Sequence, residues 1–377
     1  MGKIIRKVIA PTLILVGVTF INFSFTLAGA FPLERTDRKL TIVAMDRVYE
    51  FCYPEIDVYK GELYLKNAEE IVDGIYLDTI VKPKDAEVII HPEKDYPFSF
   101  IKERYGKGID KEDLLLKIEK ALRQKVDKIT AKERAVKPKM TVEKLKESTY
   151  RRSYFKTNYV YSTQERKDNI SLCAQYIGGV VLYDGEEFSF NERVGERTEE
   201  RGFKSAKIIE KGKFVDGIGG GVCQVSSTVY NAVLLAGLKV TERHNHSMLV
   251  SYVEPSFDAM VSSGYADLKF CNNTGAPIFL IANAVGDDIE VTVYGTKTVL
   301  EYKRVSVVKE KISPPESERV ETDGLLKGEE KISVYPKFGA LSEGYLEVYK
   351  NGKLQDSIKL SGDKYEPLQG VVLYGKS

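Results

Sequence analysis

Apolar residues fall into short bounded runs along most of the chain and into helical spacing in three places. Over 37–85 the runs at 40–45, 62–65 and 75–80 read as strands between turns, and 86–90 as another strand ended by His91-Pro92. Behind Asp110, a capping residue, Leu114, Leu115, Ile118, Leu122, Val126 and Ile129 keep helical spacing and predict an amphipathic helix over 111–129. The stretch 131–149 is charged, contains Pro138 and reads as a linker with a short helix near 142–146. Ser162 with Glu165 forms a capping-box pattern, opening a helix that turns Ile170, Cys173, Ala174 and Ile177 inward and stops at Gly178-Gly179. A hairpin is predicted over 180–190 around Asp184-Gly185, and a three-stranded antiparallel meander from 266–270, 277–282 and 289–294. From 297 onward runs at 305–308, 331–335, 344–349 and 355–360, with turns at Lys327-Gly328 and Asn351-Gly352, predict a small all-β module without a titratable cluster. Helices mixed with hairpins, without βαβ alternation, give an α+β fold class.

The start of the chain is different in kind. Lys3, Arg6 and Lys7 precede 23 uncharged residues over 8–30, long enough to cross a bilayer at ~1.5 Å per residue. The basic flank keeps the N-terminus inside and exports the polypeptide beyond residue 30. Ala28-Gly29-Ala30 also resembles a signal-peptidase site, so a retained anchor and a cleaved signal both stand. Either places the remainder outside the membrane.

Composition then removes alternatives. Of 377 residues, 56 are Lys or Arg and 55 are Asp or Glu, so the net charge of +1 gives no footprint for nucleic acid. Three histidines and four scattered cysteines, Cys52, Cys173, Cys223 and Cys271, offer no zinc-ligand spacing and no disulfide framework, although one bridge remains open. Neither a P-loop nor a dinucleotide fingerprint occurs, and no metal or organic cofactor is expected.

One cysteine stands where chemistry is favoured. Residues 217–237 read G-I-G-G-G-V-C-Q-V-S-S-T-V-Y-N-A-V-L-L-A-G, with Val222, Val225, Val229, Ala232, Val233 and Ala236 on one helical face. The helix therefore begins close to Cys223, and a thiol at a helix N-terminus has its pKa drawn down by the macrodipole. Backbone N–H groups of Gly220, Gly221 and Cys223 are free to hold an oxyanion beside the sulfur. His244 and His246, in E-R-H-N-H-S after a strand at 238–242, would face one side and supply a general base, with Asp258 or Asp267 as its orienter. Ser226, Ser227 and Thr228 lie in the first turn and are expected to satisfy backbone groups rather than attack a substrate. Gln224, Ser226, Ser227 and Tyr252 are the candidate substrate contacts. The competing interpretation buries Cys223 among its valines as a small hydrophobe.

These residues also carry a family resemblance. E-E-F-S-F-N-E (186–192), G-F-K-S-A (202–206), G-G-G-V-C-Q-V-S-S-T-V-Y-N-A (219–232), E-R-H-N-H-S (242–247), V-S-Y-V (250–253) and Y-A-D-L-K-F-C-N-N-T (265–274) resemble the VanW domain in order and content. Residues 70–130, with K-P-K-D-A-E-V before a helix, resemble a peptidoglycan-binding-type domain, and the tail from Val305, with L-L-K-G-E (325–329) and V-V-L-Y-G (371–375), resembles the G-five module. The implied layout is a signal or anchor (1–30), a peptidoglycan-binding-like α+β domain (31–130), a linker (131–149), a VanW-like domain (150–296) and an all-β module (297–377). The resemblance implies a cell-envelope protein, anchored by its N-terminal segment or secreted to the wall, whose partners are peptidoglycan stem peptides and glycan. It further implies an L,D-transpeptidase with Cys223 as nucleophile and His246 as the more regular histidine. Asp258 lies in F-D-A, where Ser256 replaces a glycine usual in the family. A cysteine L,D-carboxypeptidase and a non-catalytic wall-binding protein are the alternatives.

Overall fold

The computed structural model describes residues 37–210 and 213–376, so the apolar segment 8–30 lies outside the described residues. Among the described residues no helix is long and apolar enough to cross a membrane. Contacts divide the chain into two units: one holds the described residues up to Glu87 together with Lys102–Thr141, the other Val88–Ile101 and everything from Val142.

In the first unit, Leu40–Ala44 pairs antiparallel with Arg47–Phe51 and parallel with Lys128–Thr130. The helices Ala68–Thr79 and Lys111–Gln124 close over a core of Leu40, Ile42, Ile56, Val72, Ile75, Leu114 and Ile118. Two expectations are corrected here. Residues 75–79 finish a helix rather than form a strand: Val72, Ile75 and Thr79 share its buried face. Its N-cap, Asn67, is left-handed and makes no side-chain cap, so no capping signal marks the start. The second helix begins at Asp110, whose side chain accepts from the Asp113 N–H, but it stops at left-handed Lys125 instead of reaching 129. Residues 128–130 then serve the sheet. The stretch read as a linker carries the strand Glu133–Val136, paired with Gly106–Ile109, and the helix Val142–Glu147.

The second unit is built on a sheet ordered Tyr150–Asn158, Asp288–Gly295, Ile278–Val285, Val180–Leu182. Phe98, from the segment 88–101, packs against Phe279 and Tyr294 with ring centroids 5.0 Å away in each case. The helix Val222–Leu235 lies against Tyr150–Asn158, and the helix Gln164–Ile177 against Ile278–Val285. Thr163, not Ser162, caps the latter, accepting from the Arg166 N–H, while Ile170, Cys173, Ala174 and Ile177 point inward as their spacing requires. The expected hairpin at 180–190 is absent from this unit. Val180–Leu182 pairs with Ile278–Leu280, whereas Glu187–Ser189 joins a separate sheet with Lys269–Cys271 and Lys239–Glu242. The meander is likewise split, because only Ile278–Val285 and Asp288–Gly295 pair as neighbours. Asp184-Gly185 is a turn between two sheets, a distinction that local sequence does not encode.

From Leu300 the same unit is all β. Leu300–Ile312, Gly339–Lys350 and Lys353–Tyr365 form one antiparallel sheet, and Glu318–Lys327, Val371–Gly375 and Glu330–Val334 a second. The architecture is α+β throughout, with a strand-only C-terminal region. All four cysteines are free; Cys173 is buried and Cys52 is exposed.

Candidate active site

The helix Val222–Leu235 is buried on nearly every side, and its Val225, Val229 and Val233 stripe contributes about 1.5–3 kcal/mol per side chain. Its polar residues survive burial by bonding back along the helix. Thr228 Oγ1 donates to the Gln224 carbonyl at 2.7 Å, and Asn231 Nδ2 to those of Ser227 and Phe257 at 2.6 and 2.7 Å. The helix opens at Gly221, whose φ of 108° is tolerable only without a side chain. A Cβ there would lie 2.9 Å from Ile170 Cγ1, and one on Gly220 2.8 Å from both Ala206 Cβ and the Lys207 carbonyl. Asn169, fully buried, fixes this turn: its Nδ2 donates to the carbonyls of Gly220 and Lys204 at 3.0 and 2.9 Å, and its Oδ1 accepts from the Lys204 N–H at 2.7 Å.

Cys223 follows at the second helical position, partly exposed on the wall of a cleft of about 1470 Å³. The N–H groups of Val222 and Gln224 are taken by the carbonyls of Gly219 and Gly221. Among the described residues those of Gly220, Gly221 and Cys223 have no such acceptor, so the expected oxyanion donors stay available. Sγ lies 3.5 Å from the Val261 carbonyl oxygen. Burial opposes ionisation of the thiol, but the hydrogen bond and charge of His246, with help from the Val261 peptide and Arg197, outweigh it and hold the pKa below the usual value. Cys173, entombed in the core, is pushed the other way by burial.

His246 completes the pair. Its Nδ1 is 2.6 Å from Asp258 Oδ2, which also accepts its backbone N–H at 2.7 Å, leaving Nε2 for Cys223. Burial lowers the imidazole pKa, yet the bonds to Asp258 and Cys223 prevail and raise it to about 9. Asp258 is itself buried; His246, Arg243 and Tyr365 overcome that burial and keep the carboxyl below its ordinary range. Its other oxygen accepts from Arg243 Nη2 at 2.8 Å and from the Tyr365 hydroxyl at 2.5 Å. Arg243 also donates to Asp363 Oδ1 at 2.6 Å and to the Asp258 carbonyl at 2.6 Å. Asp258 thus holds His246 through both its backbone and its ring, with both carboxylate oxygens engaged, and His246 is near enough to Cys223 to act on the ionisation of its thiol.

His244 does not share this site. The strand ends at Glu242, the two-residue alternation stops with it, and His244 turns outward to Glu242 Oε1 at 3.2 Å. Asp267 is spent elsewhere, accepting from Ser189 Oγ at 2.5 Å and from the Asn191 N–H at 2.9 Å. Ser226 and Ser227 are fully buried. They tie the helix to Ala259, whose carbonyl takes Ser226 Oγ at 2.6 Å and whose N–H donates to Ser227 Oγ at 2.9 Å; this corrects their expected contact with substrate. Gln224 borders the cleft, but its amide is committed to Thr157 Oγ1 and the Asn158 carbonyl. Tyr252 does line the cleft. Burial, then the neighbouring sulfur and Asp258, raise its phenol well above the ordinary value, so it stays a neutral donor beside Cys223.

Four participants were not singled out by sequence. Asn169 carried one signal, a polar residue four positions before Cys173 on an inward helical face. Arg243 sits inside the histidine motif. Asp363 and Tyr365 reach the site from the C-terminal strands, more than 100 positions after Asp258, which no local pattern reports.

Comparisons with known proteins match three segments of the chain. Residues 165–294 match the family described as VanW like protein, residues 47–130 a peptidoglycan-binding-like domain and residues 303–377 the G5 domain. YoaR of Bacillus subtilis is 42% identical over 173 residues, which are 46% of this chain and 57% of that protein. The vancomycin B-type resistance protein VanW of Enterococcus faecalis is 30% identical over 112 residues, 28% of this chain and 40% of that protein. The chain therefore spans about half the length of the curated relatives it matches. An IgA1 protease G5 domain structure aligns with 21% of this chain and 90% of its own, at 22% identity and a TM-score of 0.16. In N-to-C order the chain carries a segment matching each of three families, a peptidoglycan-binding-like domain, a VanW-like protein and a G5 domain, the make-up of a cell-wall-associated protein.

Proposed function

We propose that the protein is an extracytoplasmic L,D-transpeptidase acting on peptidoglycan stem peptides, with Cys223 as nucleophile. The observation that carries this reading is the Cys223–His246–Asp258 chain opening onto a cleft at a glycine-bounded helix start. The lowered thiol and raised imidazole pKa favour a thiolate–imidazolium pair, the reactive state of a cysteine acyl transferase.

In this mechanism the Cys223 thiolate attacks the carbonyl carbon between the third residue and a terminal D-alanine. The N–H groups of Gly221 and Cys223 receive the oxyanion, with Gly220 behind them. His246 Nε2 gives its proton to the departing amine as the C–N bond breaks, leaving a thioester. An amine from a second stem then attacks, His246 recovers a proton from it, and the thiolate leaves. Asp258 holds the imidazole in one orientation and stays ionised throughout.

The cleft has room for the second stem that transfer requires, while water as the second nucleophile would make the same site a carboxypeptidase. A volume of about 1470 Å³ exceeds the ~300–1,000 Å³ of ordinary small-molecule sites, leaving room for an acceptor stem beside the donor. Exposed Tyr161 and Tyr265 at its border suit stacking on sugar faces. Incubating the protein with stem-tetrapeptide muropeptides and reading products by mass spectrometry tests the proposal. Crosslinked dimers from wild type and none from Cys223→Ala are expected; equal behaviour of the two proteins refutes it.

A further inference from the structure

The cleft around Cys223 is electrostatically one-sided. Arg166, Arg197, Lys207 and Lys337 line it, together with His246, and among the described residues no Asp or Glu does, in a protein whose charges nearly balance. Lys207 is answered by Asp216 at 2.9 Å on the outer side. The two arginines are held differently. Arg166 Nη1 donates to Ser162 Oγ at 2.7 Å; Arg197 donates to Ser263 Oγ at 2.8 Å and Asn191 Oδ1 at 2.6 Å. All three acceptors are neutral. The carboxylate that Arg197 senses, Asp267, has its oxygens turned to Ser189, Asn191 and Leu268.

Their stems flank the glycine turn that presents the nucleophile. A Cβ on Gly221 would lie 3.1 Å from Arg166 Cγ, and one on Gly219 3.1 Å from Arg197 Cβ. Half-buried guanidinium groups with neutral partners keep most of their five donors for an incoming anion, and their planar fork matches a carboxylate in bidentate fashion. Both guanidinium groups feel the charge of Cys223, but none of these hydrogen bonds goes to its sulfur.

We propose that Arg166 and Arg197 form a carboxylate subsite beside Cys223, selecting peptides that carry a free carboxylate next to the bond attacked. The inference rests on the acyl-transfer reading of Cys223 and adds a specificity to it. The donor must end one residue beyond the attacked carbonyl, so that its terminal carboxylate meets the arginines. A peptide continued past that residue, or amidated there, loses the contact.

Calorimetric titration tests this in the full chain carrying Cys223→Ser, which binds without turnover. Three probes are compared: a stem tetrapeptide, its C-terminal amide, and the tetrapeptide amidated on any side-chain carboxylate of the third residue. The C-terminal amide should bind at least tenfold more weakly than the parent peptide. In the double variant Arg166→Gln/Arg197→Gln the two should bind within twofold of each other. Arg166→Lys/Arg197→Lys, which keeps the charges and guards against a folding defect, should restore a preference for the free carboxylate. If the third-residue amide alone loses affinity, or if the discrimination survives in the double glutamine variant, the assignment to a terminal carboxylate is overturned. This readout does not require transfer chemistry, so a failure of crosslinking by wild type would leave its result standing.

Discussion

The Tyr365 hydroxyl donates to Asp258 Oδ1 at 2.5 Å, joining the C-terminal strands to the acid that orients His246. Burial and that carboxylate raise the phenol pKa, so Tyr365 remains a donor across the working range. Its oxygen also accepts the Ser256 N–H at 2.8 Å, and Ser256 Oγ lies 2.7 Å from Ser342 Oγ. The serine that stands where the VanW pattern has glycine adopts φ 69° and is held by these contacts from the C-terminal region. Tyr365→Phe should lower kcat about tenfold, the rate equivalent of one ~1.5 kcal/mol charge-assisted hydrogen bond, with KM little changed. A parallel rise in KM without loss of kcat would show that Tyr365 does not act through His246.

Thiol reactivity separates Cys223 from its siblings. At pH 6.5 an ordinary cysteine is ~1% thiolate, and a lowered pKa gains more in population than it loses in nucleophilicity. Iodoacetamide should therefore modify Cys223 at least tenfold faster than exposed Cys52 in the folded protein at that pH, and leave buried Cys173 untouched. Peptide mapping after timed alkylation reads this directly.

The pH profile of crosslinking follows from the paired shifts. Thiolate is present above the lowered Cys223 pKa, and imidazolium is present below the His246 pKa of about 9. The rate of first-turn acylation should rise from acid, hold through neutrality and fall as pH passes about 9. Alkylation needs no proton donor, so its rate should show no alkaline fall. His246→Gln should remove the alkaline limb of acylation and shift the alkylation midpoint upward.

Gly221→Ala probes the backbone turn that opens the helix. A left-handed alanine costs roughly 1–2 kcal/mol before the clash with Ile170 is counted, which corresponds to a Tm lower by roughly 2–8 °C in a unit of this size. A thermal melt of wild type against the variant checks it; an unchanged Tm would mean that the turn relaxes freely.

How much of the molecule is legible in its sequence depends on the distance over which each feature is written. Cys223 at a glycine-bounded helix start, the Asp110 cap and the inward face of Ile170, Cys173 and Ile177 are local, and the structure has them where periodicity places them. The choice of Asp258 over Asp267 was open, because both lie within a few dozen residues of His246 and only tertiary pairing separates them. The shared face assumed for His244 and His246 failed because the strand stopped at Glu242. The hairpin at 180–190 failed because its two halves prefer partners 80 or more positions away. Nothing near Tyr365 hints at an acid in another segment.

The C-terminal strands also clamp the loop that carries the base. Asn245 Nδ2 donates to the Lys364 carbonyl, the Glu366 N–H to the Ser247 carbonyl, and Arg304 bonds Asn231 on the central helix while lying over Phe155 and Phe257. A fragment trimmed at the family boundary near Gly295 would keep sulfur and imidazole yet lose half the groups that steady the acid between them. A different β module in its place would leave Asp258 and Arg243 without these contacts unless it delivered a tyrosine and an aspartate in matching register.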